Sequence, residues 1–324
     1  MNRPNSIPKG KIMNRLKPYI KIARPDHWIK QLFILPGLVI ADFLCDVGIS
    51  WKLIGMCLLG LLATSLIASA NYVINEWLDA EFDKYHPTKK NRPVVNTEMS
   101  VGWVYFEYFL LAILGLAGSL LINIQFFFTN VLLLVMGFLY NVKPFRTKDI
   151  PIVDVLSESV NNVIRFMLGW FVVTNEYLPP VSIAFGFWMC GAFLMDIKRF
   201  AEYRMIADKE TALLYRKSFK WYNEERLLTL GVFYAMLSMF NMGTFFIKYQ
   251  MELILVIPVM CAIFCYYLKL AFKEDSAVQK PEKLYREPNL LLLCLAFVIL
   301  FLVLMYAHIP SLQLLESTDL IEMR

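Results

Sequence analysis

Charge is scarce in this sequence. Only 18% of its 324 residues are Asp, Glu, Lys or Arg, against 58% hydrophobic and 15% aromatic. A water-soluble domain averages about a quarter charged residues, so that class is excluded. No alternation of polar and apolar residues runs through the hydrophobic stretches, which excludes a transmembrane barrel; helices are the other backbone that satisfies its own hydrogen bonds in lipid. No disulfide framework or zinc pattern is present: Cys45, Cys57, Cys190, Cys261, Cys265 and Cys294 all fall in apolar runs and read as small packing residues. Cys261 and Cys265 share a helix face, but without histidine or carboxylate company. The formal charge of +5 is too small, and too dispersed, for a nucleic-acid-binding stripe. No signal-peptide pattern opens the chain, because the first apolar run begins near Trp28.

What fills the sequence is a series of uncharged runs long enough to span a bilayer. They predict an all-α polytopic membrane protein with about nine transmembrane helices, near 28–45, 51–75, 100–122, 124–141, 153–174, 181–198, 227–247, 251–271 and 289–308. A basic segment (1–27) precedes a single transmembrane catalytic domain (28–308), and a short tail (309–324) follows. Of the 32 Lys and Arg residues, 28 lie before or just inside the first span, or in or at the edges of the connections after the second, fourth, sixth and eighth. The positive-inside rule places that side in the cytoplasm. An integral inner or plasma membrane protein is expected, its N-terminus and polar motifs cytoplasmic and its C-terminus outside.

Those connections carry the chemistry. The span at 51–75 runs out through Asn75-Glu76-Trp77-Leu78-Asp79-Ala80-Glu81-Phe82-Asp83. Asn75, Asp79 and Asp83 recur every four residues, on one face of a continuing helix. Such oxygen ligands suit Mg²⁺, which is held by one or two carboxylates together with substrate phosphates; a solvated helix end is the plainer alternative. The following His86-Pro87-Thr88-Lys89-Lys90-Asn91-Arg92-Pro93 is basic and fits a diphosphate, or ordinary membrane-surface charge. In the span at 153–174, Asp154, Glu158, Asn161 and Arg165 form a polar stripe. Ionisable groups at that depth face a cavity or one another; a structural Glu158–Arg165 network competes with a substrate-lining role. Beyond the span at 181–198, Lys198 and Arg199 stand at helical spacing from Glu202, either as a stabilising charge pair or as a second wall of the polar site.

These residues resemble the UbiA superfamily of intramembrane prenyltransferases, whose first motif has the form Asn-Asp-x-x-Asp-x-x-x-Asp followed by Arg-Pro. Asn75, Asp79, Asp83 and Arg92-Pro93 match, with Glu76 in place of the usual Asp. Aromatic prenyltransferases of the superfamily carry a further Asp-x-x-x-Asp cluster; Lys198-Arg199-Phe200-Ala201-Glu202 instead looks like the decaprenyl-phosphate phosphoribosyltransferase branch. Arg24-Pro25-x-x-Trp28-x-Lys30, the run from Glu81 to Pro93, Arg216-Lys217-Ser218 with Tyr222, and the looser Tyr140-x-x-Lys143 agree with that branch. Gln31 departs from the usual Asn, Asn96-Thr97 from a glycine, and Asp196 restores one acid near the second motif. The resemblance spans Arg24 to Tyr222.

The resemblance implies Mg²⁺-dependent transfer of 5-phosphoribose from phosphoribosyl pyrophosphate to a polyprenyl phosphate, in the service of cell envelope biosynthesis. Asp79 and Asp83, with Asn75, would hold the metal, and Lys198, Arg199 and Glu202 would complete the catalytic set. Lys30, Lys89, Arg92, Tyr140, Lys143, Asp154, Glu158 and Arg165 would contact substrate; Arg165, Lys143 or Lys198 would dock the lipid phosphate or the ribose 5-phosphate. Two alternatives stand beside it. One is isoprenyl transfer from its diphosphate to an aromatic acceptor; the other is transport of an anionic metabolite, which would also explain Arg165 and Glu158 but lacks a visible internal repeat.

Overall fold

In the computed structural model, the described residues are 9–206, 209–273, 276–279, 284 and 286–315. The first eight residues of the expected basic segment and the tail beyond residue 315 lie outside them. All regular structure among the described residues is helical. In chain order the α-helices are α1 (Lys9–Ile22), α2 (Leu35–Cys45), α3 (Trp51–Asp83), α4 (Pro93–Asn96), α5 (Val101–Leu120), α6 (Ile124–Asn141), α7 (Val153–Val173), α8 (Val181–Met205), α9 (Lys209–Tyr215), α10 (Glu224–Tyr249), α11 (Ile257–Ala271) and α12 (Pro288–Tyr306). A tighter 3₁₀ segment, Pro25–Ile34, leads into α2. Eight stretches among the described residues are long and apolar enough to cross a membrane, and the chain is an integral membrane protein. Over the remaining predicted span, α7 is helical as expected, but its polar stripe makes it less apolar than the eight.

Local sequence explains where the helices begin. Ser50 Oγ accepts from Leu53 N at 3.2 Å at the start of α3, Asn123 Oδ1 from Phe126 N at 2.8 Å at α6, and Asn223 Oδ1 from Arg226 N at 2.7 Å at α10. Each satisfies a donor that the first helical turn leaves without an intrahelical partner. Two helices run on past their predicted spans, as the spacing of their polar residues implies. Asn, Glu, Ala and Asp are all compatible with helix, and no Gly or Pro intervenes before Pro87, so α3 continues through the acidic motif to Asp83. In the same way α8 continues to Met205, so that Lys198, Arg199 and Glu202 lie within the helix.

The chain forms two compact units. The first comprises Met1–Glu176 and Ile206–Trp221, the second Tyr177–Met205 and Tyr222–Arg324. In the first unit, α2 and α7 meet backbone to backbone. A Cβ on Gly37 would sit 1.8 Å from the Phe166 carbonyl oxygen, and one on Gly169 would sit 1.8 Å from that of Ile34. Small residues permit such approaches where lipid provides no hydrophobic drive between helices. Side-chain amides add polar ties: Asn71 Nδ2 donates to Leu133 O at 2.9 Å, joining α3 to α6, and Asn130 Nδ2 donates to Ser119 Oγ at 2.9 Å, joining α6 to α5. The outer face of α5 presents Trp103, Phe106, Leu110, Ile113 and Leu114, a surface suited to acyl chains.

The second unit is built on α8 and α10. Gly186 lies against Met242 and Asn241, Gly231 lies against Ile197 and Asp196, and Ser238 Oγ donates to Gly186 O at 3.0 Å. Phe193 stacks on Phe264 of α11, ring centroids 4.5 Å apart.

Candidate active site

The end of α3 gathers the first motif as its spacing predicts. Asn75 and Asp79 touch, Nδ2 donating to Asp79 Oδ2 at 3.2 Å. Asp83 and Glu76 are almost wholly buried, each 2% exposed, and each acid has its own cation. Arg24, which precedes the 3₁₀ segment, donates from Nε to Glu76 Oε2 at 2.8 Å. Arg92, from the basic loop, pairs with Asp83. Asp79 takes two cations on one oxygen: Arg146 Nη2 at 2.9 Å and Lys148 Nζ at 2.5 Å, both on Oδ1. The second oxygen of Glu76, Oε1, is buried without a hydrogen-bond partner.

The connection from α6 to α7 supplies the Asp79 clamp, which the sequence reading missed. Lys143 is exposed on this connection, whereas Arg146 and Lys148 are buried. Asn141, the last residue of α6, ties the two halves together: its Oδ1 accepts from Lys148 Nζ at 2.7 Å and from Asn75 Nδ2, and its carbonyl accepts from Arg146 Nη1 at 3.1 Å. Arg146 also lies over the Phe82 ring, at 4.6 Å, and pairs with Asp149. Burial pushes the Lys148 ammonium down to about 8, against the opposing pull of Asp79. Burial disfavours the charged Arg92 too, but Asp83, Glu76 and Tyr215 together outweigh it and the guanidinium is held above its ordinary value.

The basic loop is ordered around His86, which is 3% exposed. Its Nδ1 accepts from the backbone N–H groups of Thr88 and Lys89, each at 3.2 Å. Lys89 donates to the Tyr215 hydroxyl and lies over that ring. The 3₁₀ segment brings Lys30 Nζ to His27 Nδ1 at 3.0 Å, with Tyr72 of α3 beside both residues.

The α7 stripe divides among separate partners. Asp154 is fully buried and takes Ser218 Oγ at 3.1 Å and Arg216 at 3.5 Å. Glu158 accepts from the Tyr140 hydroxyl at 2.9 Å. Arg165 donates from Nε to Gln31 Oε1 at 2.8 Å and from Nη1 to Asn161 O at 3.1 Å. The stripe residues singled out in the sequence are therefore engaged, whereas Lys143 has no such partner among the described residues, and Arg216, Ser218, Gln31 and Arg24 were not among the expected site residues.

In the second unit, Arg199 and Glu202 are each 1% exposed, and Arg199 Nη1 lies 3.2 Å from Glu202 Oε2. Asp196 of the same helix is fully buried and Lys198 partly so.

The model of the UbiA prenyltransferase family matches residues 33–293. Decaprenyl-phosphate phosphoribosyltransferase of Mycobacterium tuberculosis is 26% identical over 220 residues, covering 66% of this chain and 68% of that protein. Digeranylgeranylglyceryl phosphate synthase of Sulfurisphaera tokodaii is 25% identical over 191 residues, covering 56% of this chain and 64% of that protein. Among solved structures, a UbiA homolog from Archaeoglobus fulgidus bound to GPP and Mg²⁺ superposes with a TM-score of 0.67 at 20% identity, covering 90% of this chain and 100% of that one.

Proposed function

Because the chain belongs to the UbiA prenyltransferase family, we propose that it transfers 5-phosphoribose from phosphoribosyl pyrophosphate to a polyprenyl phosphate, releasing pyrophosphate. The observation that carries this reading is the Arg199–Glu202 pair. Where an aromatic prenyltransferase carries a second Asp-x-x-x-Asp pair, this chain has one cation and one carboxylate, Arg199 and Glu202, buried 3.2 Å apart. The likeness to the mycobacterial phosphoribosyltransferase supports the same branch.

The residues of the first motif fit Mg²⁺. Asp79 and Asp83 lie one helical turn apart, and the buried Oε1 of Glu76 lacks a partner. Among the described residues no three His, Cys, Asp or Glu side chains form a metal-binding group. One or two carboxylates completed by substrate phosphate oxygens are the usual donor set of Mg²⁺. Asp79 and Asp83, with Asn75 orienting Asp79, would hold the ion. When bound, it supplies Lewis-acid stabilisation of the departing pyrophosphate.

The bond from ribose C1 to pyrophosphate breaks, and one from C1 to an oxygen of the lipid phosphate forms. Pyrophosphate leaves with the electron pair, so negative charge grows on it while C1 and the ring oxygen become positive. Arg92, Lys89, Arg146 and Lys148 supply fixed positive charge for that leaving group in a site where water screens little. A phosphate monoester is already anionic near neutral pH, so no general base is needed to activate it. The charge asymmetry of the sequence puts this chemistry on the cytoplasmic side of an inner or plasma membrane.

A second reading, isoprenyl transfer to an acceptor, is favoured by one feature: fully buried Asp196, which adds an acid beside the second motif. Pyrophosphate release separates the two. The purified protein is offered phosphoribosyl pyrophosphate with a polyprenyl phosphate, and separately geranyl diphosphate with an aromatic acid. Release with the first pair alone supports the proposal; release with the second pair alone overturns it.

A further inference from the structure

Arg165 is 8% exposed, inside a membrane-spanning segment. A buried charge of this kind is costly without a counter-charge. Among the described residues Arg165 has no carboxylate within ion-pair distance. Its three hydrogen bonds go to neutral oxygens: Gln31 Oε1 at 2.8 Å, Asn161 O at 3.1 Å and Asn162 Oδ1 at 3.4 Å. None of them uses Nη2.

Gln31 adds a second observation. It is 1% exposed, and its amide orientation is fixed, because a guanidinium can only donate and so the oxygen must face Arg165. Its Nε2 is then a buried donor, and it has no partner. Asn161 contributes the complement. Its Nδ2 donates to Glu158 O at 3.1 Å, leaving Oδ1 buried and without a donor. One uncompensated positive charge, one idle donor and one idle acceptor thus lie within a few side chains of each other.

We infer that Arg165, Gln31 and Asn161 form a subsite for a phosphate monoester. The ester's oxygens take the Arg165 charge and the Gln31 N–H, and its single O–H, when protonated, donates to Asn161 Oδ1. The subsite adjoins the acidic motif through a shared strut. Gln31 belongs to the 3₁₀ segment that follows Arg24, the partner of Glu76. Tyr72, one turn before Glu76 on α3, lies 5.8 Å from Arg24 and 5.9 Å from Lys30. Two sources bring this chemistry to the protein: the headgroup of a polyprenyl phosphate and the 5-phosphate of a ribose donor. The assignment to these two sources rests on the proposed phosphoribosyl transfer; the anion subsite itself does not.

The test measures binding without turnover. The full chain in nanodiscs is titrated with farnesyl phosphate, farnesol and ribose 5-phosphate, as wild type and as Arg165→Gln, Arg165→Lys and Gln31→Glu. Gln31→Glu is nearly isosteric and places a carboxylate on Arg165, so it should raise the melting temperature while weakening phosphate binding at least tenfold. Arg165→Gln should weaken binding as much, and Arg165→Lys should restore part of it. If Arg165→Gln fails to fold, Gln31→Glu decides. Loss confined to farnesyl phosphate assigns the subsite to the lipid headgroup; loss confined to ribose 5-phosphate assigns it to the donor. Unchanged affinity for both phosphates in Gln31→Glu, or equal binding of farnesol and farnesyl phosphate with no wild-type affinity for ribose 5-phosphate, overturns the inference. Transfer by the wild type is assayed separately. Transfer with unaltered binding in the variants defeats the subsite alone, and altered binding without phosphoribosyl transfer defeats the proposed reaction alone.

Discussion

Arg146 Nη2 lies 2.9 Å from Asp79 Oδ1, and the backbone that delivers this side chain stands at φ 29°. Arg24, the partner of Glu76, is also left-handed, at φ 50°. Non-glycine residues in this region carry a cost of about 1–3 kcal/mol that surrounding contacts must offset. Here the offset is the ion pair itself, so the acidic face of α3 and two strained turns hold each other in place.

Strain and pairing are separable by substitution. Arg146→Ala loses the ion pair and keeps the backbone cost; Arg146→Gly loses the pair but relieves the cost. The glycine variant should therefore unfold at the higher temperature of the two, by the equivalent of about 1 kcal/mol. Thermal unfolding in detergent reads this directly, and an alanine variant as stable as the glycine one would remove the strain from the account.

Asp79→Asn and Asp83→Asn should each cut transfer to below about 1% of wild type at saturating Mg²⁺, since a misplaced ion forfeits several kcal/mol of charge stabilisation. Asp79→Asn should also lower stability, because it removes the negative charge that Arg146 and Lys148 share. Turnover close to normal in both variants would make the acidic face structural.

The contact between α2 and α7 gives a test of packing. Gly37→Ala and Gly169→Ala each drive a methyl into a facing carbonyl, which two helices relieve only by moving apart. Each should destabilise by about 1–3 kcal/mol. Gly55→Ala, where nothing lies within 4 Å of the added Cβ, should be neutral. Equal melting temperatures across the three would refute the close approach.

Much of the fold was legible because hydropathy is a local property. Every predicted span corresponds to helix, and Asn75, Asp79 and Asp83 share a face because a four-residue recurrence can hardly do otherwise. The extension of α3 beyond its span was legible too, since the recurrence from Asn75 to Asp83 already implied a continuing helix. The Asp79 clamp was not legible at all. Arg146 and Lys148 lie far along the chain from Asp79, in a turn with no periodic pattern, and Lys143 was the more conspicuous lysine because it matched a loose motif. Gln31 stood out only as a departure from asparagine, and its pairing with Arg165 emerges from the fold. The recognised resemblance stopped at Tyr222, while the family match continues to residue 293; that last stretch is mostly hydropathy, which carries little residue-level signal.

Orientation follows from charge and is checked by labelling. In a cysteine-free background, Thr88→Cys should react with an impermeant maleimide only in inverted vesicles or after the cytoplasmic side is opened. Labelling from outside intact cells would reverse the topology and move the acidic motif to the other face.

The most direct test of the central claim is the mass of the lipid product. Purified protein with Mg²⁺, phosphoribosyl pyrophosphate and a defined polyprenyl phosphate should convert the lipid to a species heavier by one phosphoribosyl group, with pyrophosphate released in equal amount. A lipid recovered unchanged under these conditions, from protein that prenylates an aromatic acid with geranyl diphosphate, would contradict the account.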